Sequence, residues 1–463
     1  MLRNSSAGPG CGTDQFSREE EECEDWVWDT AVFRSTAVTE WGLVCGKQML
    51  VDLGFSVYSL GVLGGVLVPG LLADRFGRKK MMFLSMGLNG LSTIASAFVT
   101  DFVTFLTLRA LMGFGTLGTF VTMCILAVEL AHSRHKTLVG NLSHLLWAPG
   151  QLGMAALAWW LRDWRHLHLA TALPTLAALL LYPVTPESPR WLLARGRERE
   201  ARAVIAQLCR GKKSDSPAVV AGGEAGRPNQ SALSLLSLLA SPGVALATIV
   251  LSINWLVVDF CYYGLSLHSV NLAGDIFVNF ILSALVEVPA VLAGLAGLDW
   301  AGRVPLLVGG QLVGGAGESC DRPRIDRGLI IYIGCILAGL VSPPAVLPLA
   351  LIGKFSSSLV FLTVYLYTGE LYPTSVRGLG LALTATCARL GGFIAPFIAG
   401  LGVRQPSLPF LIFGGAAIVG GLAALLLPET RGAALPATMQ DMEKIVRRSR
   451  GSSSANMAYE TQL

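Results

Sequence analysis

Five charged side chains stand inside long apolar runs: Arg109, Asp259, Glu287, Lys354 and Arg389, with Asp52 nearer the end of another. A charge in such a run is costly to hold away from water, so it faces a wet cavity or another charge. Arg389, in Cys387-Ala-Arg-Leu-Gly-Gly392, carries a planar fork of donors that can grip a carboxylate through two parallel hydrogen bonds. The competing reading is a standing ion pair with Glu287 or Asp259, because buried charges usually pair. Quaternary ammonium groups need aromatic faces more than hydrogen bonds. Phe120, Trp147, Tyr262, Phe361 and Tyr365 are the candidates for that work, each equally open to ordinary helix packing. With Gln151, Glu287 and Lys354 they form the candidate binding set; a carboxylate clamp beside an aromatic cage suits a betaine-like zwitterion. No paired nucleophile and base, CxxC pair or HExxH motif appears, so neither enzyme chemistry nor a metal site is expected.

The elements that carry these residues follow from composition. Of 463 residues 52% are hydrophobic and 14% charged, against roughly 25% charged in soluble domains. The chain reads as an all-α polytopic membrane protein, and a net charge of +4 is too small to argue for nucleic acid. A membrane helix needs about 20 mainly apolar residues. Such runs lie at 51–73, 81–100, 105–130, 138–161, 167–185, 243–265, 276–298, 345–369, 379–402 and 408–427. The stretch 305–342 is apolar at both ends and broken by polar residues near 312–328. Residues 1–50 are polar and acidic, with no secretory signal peptide. Lys and Arg concentrate on the side of the Asp74–Lys80 loop, which makes that side cytosolic and the N-terminal tail external. Cys124, Cys261, Cys335 and Cys387 read as small core residues, whereas two of Cys11, Cys23 and Cys45 could pair outside.

The two halves echo each other. Asp74-Arg-Phe-Gly-Arg78 returns as Asp299-Trp-Ala-Gly-Arg303 at an offset of 225, and Ala110-Leu-Met-Gly113 as Ala350-Leu-Ile-Gly353 at 240. Glu129 matches Glu370 at 241, and Pro186-Glu187-Ser188 matches Pro428-Glu429-Thr430 at 242. A parallel duplication of a six-span unit is the organisation of the major facilitator superfamily, with substrate held between the halves. Two places break the repeat. The offset jumps by 15 between Gly302 and Gly353, so the ninth span reads as interrupted by Gly317–Gly328, which must loop out or be covered by protein. Subtracting 225 from the seventh span points to 18–40 for the first, and the acidic run Glu19–Asp25 there cannot cross a bilayer. Eleven span equivalents remain.

Several motifs carry a specific resemblance. Ser35-Thr-Ala-Val-Thr-Glu40-Trp-Gly-Leu-Val-Cys45, Arg162-Asp-Trp-Arg165, Pro186-Glu-Ser-Pro-Arg190-Trp-Leu, Glu370-Leu-Tyr-Pro-Thr-Ser-Val-Arg377 and Pro428-Glu-Thr-Arg-Gly432 resemble the organic ion transporters of solute carrier family 22. Tyr262-Tyr-Gly-Leu-Ser-Leu267, Gly274–Asn279 and Val286-Glu-Val-Pro289 are most similar to its branch for carnitine, other zwitterions and cations. The resemblance implies that 1–50 is the end of a large extracellular loop, 51–185 the N-terminal half, 186–242 a cytosolic linker, 243–427 the C-terminal half and 428–463 a cytosolic tail. It also implies an aromatic at Phe120, cavity-lining positions for the other four aromatics, and arginine at 389 in the carnitine-like and anion branches. Asp74, Arg78, Asp299 and Arg303 read as gating residues, whose ion pairs between cytosolic helix ends form in the outward-open state and break in the inward-open one, with Glu129, Glu187, Arg190, Glu370, Arg377, Glu429 and Arg431 as partners that the resemblance also implies. The alternative is that the basic members only set topology.

The expected function is secondary or facilitative transport of small organic ions by alternating access at the plasma membrane, carnitine-like zwitterions or organic cations first. The alternatives are a non-transporting membrane protein that acts through partners and an organic anion exchanger of the same family. No cofactor is expected; coupling to Na+ or H+ is open. The linker reads as a solvated basic face or a contact for anionic lipids. The C-terminal Thr461-Gln-Leu463 has the form captured by PDZ domains, and Asn4-Ser-Ser6 that of a glycosylation sequon.

Overall fold

The structure is a computed structural model that describes residues 27–131, 136–208, 241–269, 275–312, 343–373, 376–403, 408–432, 436 and 438–447. The expected ninth-span interruption, the sequon, Cys11, Cys23, Cys335 and the C-terminal Thr461–Leu463 lie outside these residues.

Every long apolar run within the described residues is a helix. After a short α1 (Ala37–Trp41) come α2 (Met49–Phe76), α3 (Arg78–Ser96), α4 (Phe102–Leu130), α5 (Lys136–Leu161) and α6 (Trp164–Ala177). The segment between the halves contributes α7 (Pro189–Ala194) and α8 (Glu198–Leu208). The second half holds α9 (Pro242–Ser269), α10 (Ile276–Trp300), α11 (Arg303–Leu312), α12 (Pro343–Leu371), α13 (Arg377–Gly400) and α14 (Leu408–Ala424). Six of these, α2, α4, α9, α10, α12 and α13, are long and apolar enough to cross a membrane among the described residues. The helix over the run at 167–185 begins before it, because the Asp163 carboxylate accepts from the Arg165 and His166 amides and starts α6 at Trp164. At its other end α6 tightens into a 3-10 turn, Ala178–Leu181.

Helices within each half approach closely where glycine removes the side chain. A Cβ on Gly61 would collide with the Ala110 backbone and one on Gly113 with the Tyr58 carbonyl, so α2 and α4 cross almost backbone to backbone. The largest buried cluster lies in the second half, around Trp255, Leu307, Val364, Tyr367 and Tyr372. Residues 439–447 return as a helix whose Met442 and Val446 pack into that cluster beside Val244.

At one end of the bundle, two motifs far apart in sequence close on each other. Thr36 and Thr39 cap α1 reciprocally, and Gly42 ends it in the left-handed region at φ 58°. Glu40 forms an ion pair with Arg165 and accepts from the Trp164 indole at 2.9 Å. The Trp41 indole donates to the Thr100 carbonyl at 2.9 Å, and its ring centroid lies 4.8 Å from that of Phe105. Asp101 caps α4 by accepting from Thr104, and those hydrogen bonds hold its carboxyl below its ordinary range. Thus the segment before α2 is strapped to the adjoining ends of α3, α4 and α6.

Candidate substrate site between the two halves

Glu287 is the hub of a polar network buried between the halves. It lies eleven residues into α10, roughly 16 Å from the helix N-terminus at 1.5 Å per residue, which puts it deep in the span. One carboxylate oxygen accepts from the Tyr262 hydroxyl at 2.7 Å and lies 3.0 Å from the Lys354 ammonium. The other accepts from the Gln151 amide at 3.0 Å, and the Trp147 indole donates to the Tyr262 hydroxyl at 3.0 Å. Trp147 and Gln151 are four apart on one face of α5, so the first half presents both to α9 and α10. Lys354, from α12, also donates to Ser266 at 2.6 Å, and its ammonium sits 3.2 Å from the centre of the Tyr262 ring. The side chains of Glu287 and Lys354 are 6% and 4% exposed, so this pair is withdrawn from solvent.

Aromatic rings extend the site along α9 and α12. Phe361 lies 5.9 Å from Tyr262 and edge-on to Trp255 at 5.8 Å; Tyr365 lies 5.7 Å from the same Trp255. Phe120 is half-buried on α4 and joins none of the ring pairs seen among the described residues. Trp255 and Ser266 are participants that the candidate binding set did not include, although Ser266 lies inside the Tyr262–Leu267 motif. Ser266 had a signal, since it stands one helical turn beyond Tyr262 on the same face.

Arg389 is engaged elsewhere. Its guanidinium lies 3.5 Å from the carboxylate of Asp259, which is fully buried and accepts no hydrogen bond among the described residues. Of the two standing partners considered for Arg389, the structure brings Asp259, and Glu287 goes to Lys354. Arg109 lies over the Phe105 ring at 5.1 Å, and its Nε has no hydrogen-bond partner among the described residues.

Around this site the halves touch through α2 and α13. The Ser56 and Ser59 hydroxyls on α2 donate to the Phe393 and Gly392 carbonyls of α13 at 2.9 and 3.4 Å. Phe55 meets Tyr263 at 5.7 Å, and Phe33 meets Phe277 at 5.5 Å.

At the opposite ends of the helices the charged motifs form one arrangement twice. Gly77 and Gly302, at φ 108° and 98°, each turn the chain between two helices, a conformation open to glycine and strained for other residues. The arginine after each glycine points back to an acid at the end of a long helix. Arg78 lies 3.3 Å from Glu129 and 2.9 Å from Asp74, and Arg303 donates twice to Glu370 at 2.9 and 2.8 Å. A second acid then caps the new helix. Glu187 accepts from the Lys79 amide at 3.0 Å, and Glu429 from the Arg303 and Val304 amides at 3.0 and 2.9 Å. Arg431 ties down the same corner by donating to the Trp300 carbonyl at 2.6 Å. Arg190 is exposed and has no ion pair among the described residues, while the side chains of Asp299 and Arg377 lie outside them. All of these pairs run within a half.

Comparison with known proteins identifies the family and the fold. The family model described as "Sugar (and other) transporter" matches residues 13–441. The human organic cation/carnitine transporter 2 is 32% identical over 443 residues, covering 94% of this chain and 77% of that protein. Mouse solute carrier family 22 member 21 is 32% identical over 446 residues, with the same two coverages of 94% and 77%. In fold, the inward-open xylose transporter XylE from E. coli superposes with a TM-score of 0.64 at 18% identity, covering 87% of this chain and 90% of that one. An all-α bundle of two echoing halves, with paired charges at equivalent corners and 32% identity across nearly its whole length, this chain belongs to the sugar (and other) transporter family of the major facilitator superfamily, among the solute carrier family 22 proteins.

Proposed function

We propose that this chain transports small organic ions by alternating access, taking carnitine-like zwitterions or monovalent organic cations through the plasma membrane. The observation that carries the reading is the Glu287 network, which joins Gln151 and Trp147 of the first half to Tyr262, Glu287 and Lys354 of the second. A carboxylate and aromatic faces recognise an ammonium group, and the ammonium of Lys354 recognises a carboxylate. Because the network bridges the halves, a ligand that rearranges it alters the contact on which alternating access turns. The corner clusters keep each half rigid while it rocks. The carnitine transport named for the human relative favours the zwitterionic class.

Uptake in cells displaying the chain, normalised to biotinylated surface protein, tests the reading. Carnitine, tetraethylammonium and para-aminohippurate are each offered with and without sodium and across a proton gradient. Saturable uptake of carnitine or tetraethylammonium is expected, and Glu287→Gln should reduce it at least tenfold. Surface display with no uptake of any of the three would overturn transport. The ion dependence identifies sodium or proton coupling. The terminal Thr461–Leu463 carboxylate is proposed as a PDZ ligand, and deleting those residues should abolish binding to an immobilised PDZ domain.

A further inference from the structure

The position of Lys354 has a consequence for selectivity. A site for an organic cation needs a carboxylate and an aromatic face, and Glu287 and Tyr262 provide both. The ammonium of Lys354 already occupies that place, 3.0 Å from the carboxylate, 3.2 Å from the ring centre and 2.6 Å from the Ser266 oxygen. The carboxylate and the ring face are also what an incoming quaternary ammonium would seek. We infer that Lys354 is a tethered occupant of the cation site, which a substrate must displace, and that the displaced lysine then binds the substrate's carboxylate. The inference rests on the transport reading above and makes it narrower.

Charge balance gives the reason. With Lys354 on Glu287 the pocket is neutral, and in a low-dielectric interior an uncompensated unit charge is expensive. A simple cation that takes Glu287 leaves Lys354 unpaired and the pocket with net charge +1. A simple anion that takes Lys354 leaves Glu287 unpaired and net charge −1. A zwitterion exchanges one internal ion pair for two external ones and keeps the sum at zero. Lys354 rides on a four-carbon stem with several rotatable bonds, so it can swing aside by a few ångströms without moving α12. Glu287 is held more firmly by donors from Tyr262 and Gln151. The same arithmetic applies on return, since Lys354 restores neutrality when the substrate leaves.

The test is binding of carnitine and tetraethylammonium to the purified full-length protein in nanodiscs, by isothermal titration, for the wild type and Lys354→Gln. The wild type should bind carnitine at least tenfold more tightly than tetraethylammonium. Lys354→Gln should invert this, with tetraethylammonium gaining at least tenfold and carnitine losing at least tenfold. Because that variant strands the Glu287 charge, the charge-free pair Glu287→Gln/Lys354→Met serves as a second variant. It should lose carnitine at least tenfold and gain nothing for tetraethylammonium. Carnitine binding by the wild type with an unchanged preference in Lys354→Gln would overturn the lysine assignment alone, as would wild-type carnitine affinity in the double variant. Failure of the wild type and Lys354→Gln to bind either probe would overturn the transport reading and this inference together.

Discussion

Arg389 illustrates how a residue's role depends on its neighbour. Its fork would suit a free carboxylate, yet it is 3.5 Å from Asp259, whose own side chain is only 1% exposed. Removing one member of such a pair leaves the other charged and buried, which costs on the order of 3–5 kcal/mol. Arg389→Ala should therefore lower the thermal stability of the purified protein by that amount, and Asp259→Asn combined with Arg389→Gln should recover most of it. If Arg389→Ala unfolds as the wild type does while carnitine uptake disappears, the arginine is a substrate clamp and the Asp259 contact is incidental. The in-span charges are all legible from sequence, because a charge amid leucine and valine is conspicuous. Which charge meets which is not. Glu287 meets Lys354 of another helix, 67 positions along the chain, and only the rotation of each helix about its axis selects the partner.

At the scale of elements, the repeated corner explains its own sequence. Gly77 and Gly302 each hold a positive φ, and a Cβ on either would press on the capping carboxylate of Glu187 or Glu429. Alanine at either position meets strain of about 1–3 kcal/mol from the backbone, and the cap is pushed aside as well. Gly302→Ala should lower the melting temperature and loosen the start of α11, which hydrogen exchange at Arg303 and Val304 would reveal as faster amide exchange. Wild-type exchange in this variant would show that the glycine is dispensable. The echo of Asp-x-x-Gly-Arg at an offset of 225 is visible in the sequence, and a recurring glycine beside a recurring arginine does point to a turn. The capping acid arrives from more than a hundred residues away, so its place in the same corner can be read only as the family pattern implies it. The strap before α2 is similar. The Glu40-Trp41 and Arg162–Arg165 motifs each stand out in the sequence, and folding alone joins them.

At the scale of the whole molecule, the two halves meet through Ser56, Ser59, Phe55 and the Phe33–Phe277 contact. On the orientation that the Lys and Arg distribution implies, opening to the outside requires these contacts to part. Phe33→Cys combined with Phe277→Cys, joined by a short thiol cross-linker, should arrest uptake in intact cells, and a cleavable linker should restore it on reduction. Uptake that survives complete cross-linking would mean that this contact does not separate during transport.

The all-α membrane fold, the duplication and the set of residues worth suspecting are all properties of the linear chain. They depend on composition and local period: a helix of 20 apolar residues satisfies its own backbone and dissolves in lipid whatever surrounds it. The pairing of Glu287 with Lys354, of Arg389 with Asp259 and of Glu40 with Arg165 exists only once the helices have packed. Each pair joins helices or motifs that are distant in the chain. Its formation depends on crossing geometry and side-chain packing, in which a rotation of one helix by a single residue would bring a different partner into reach.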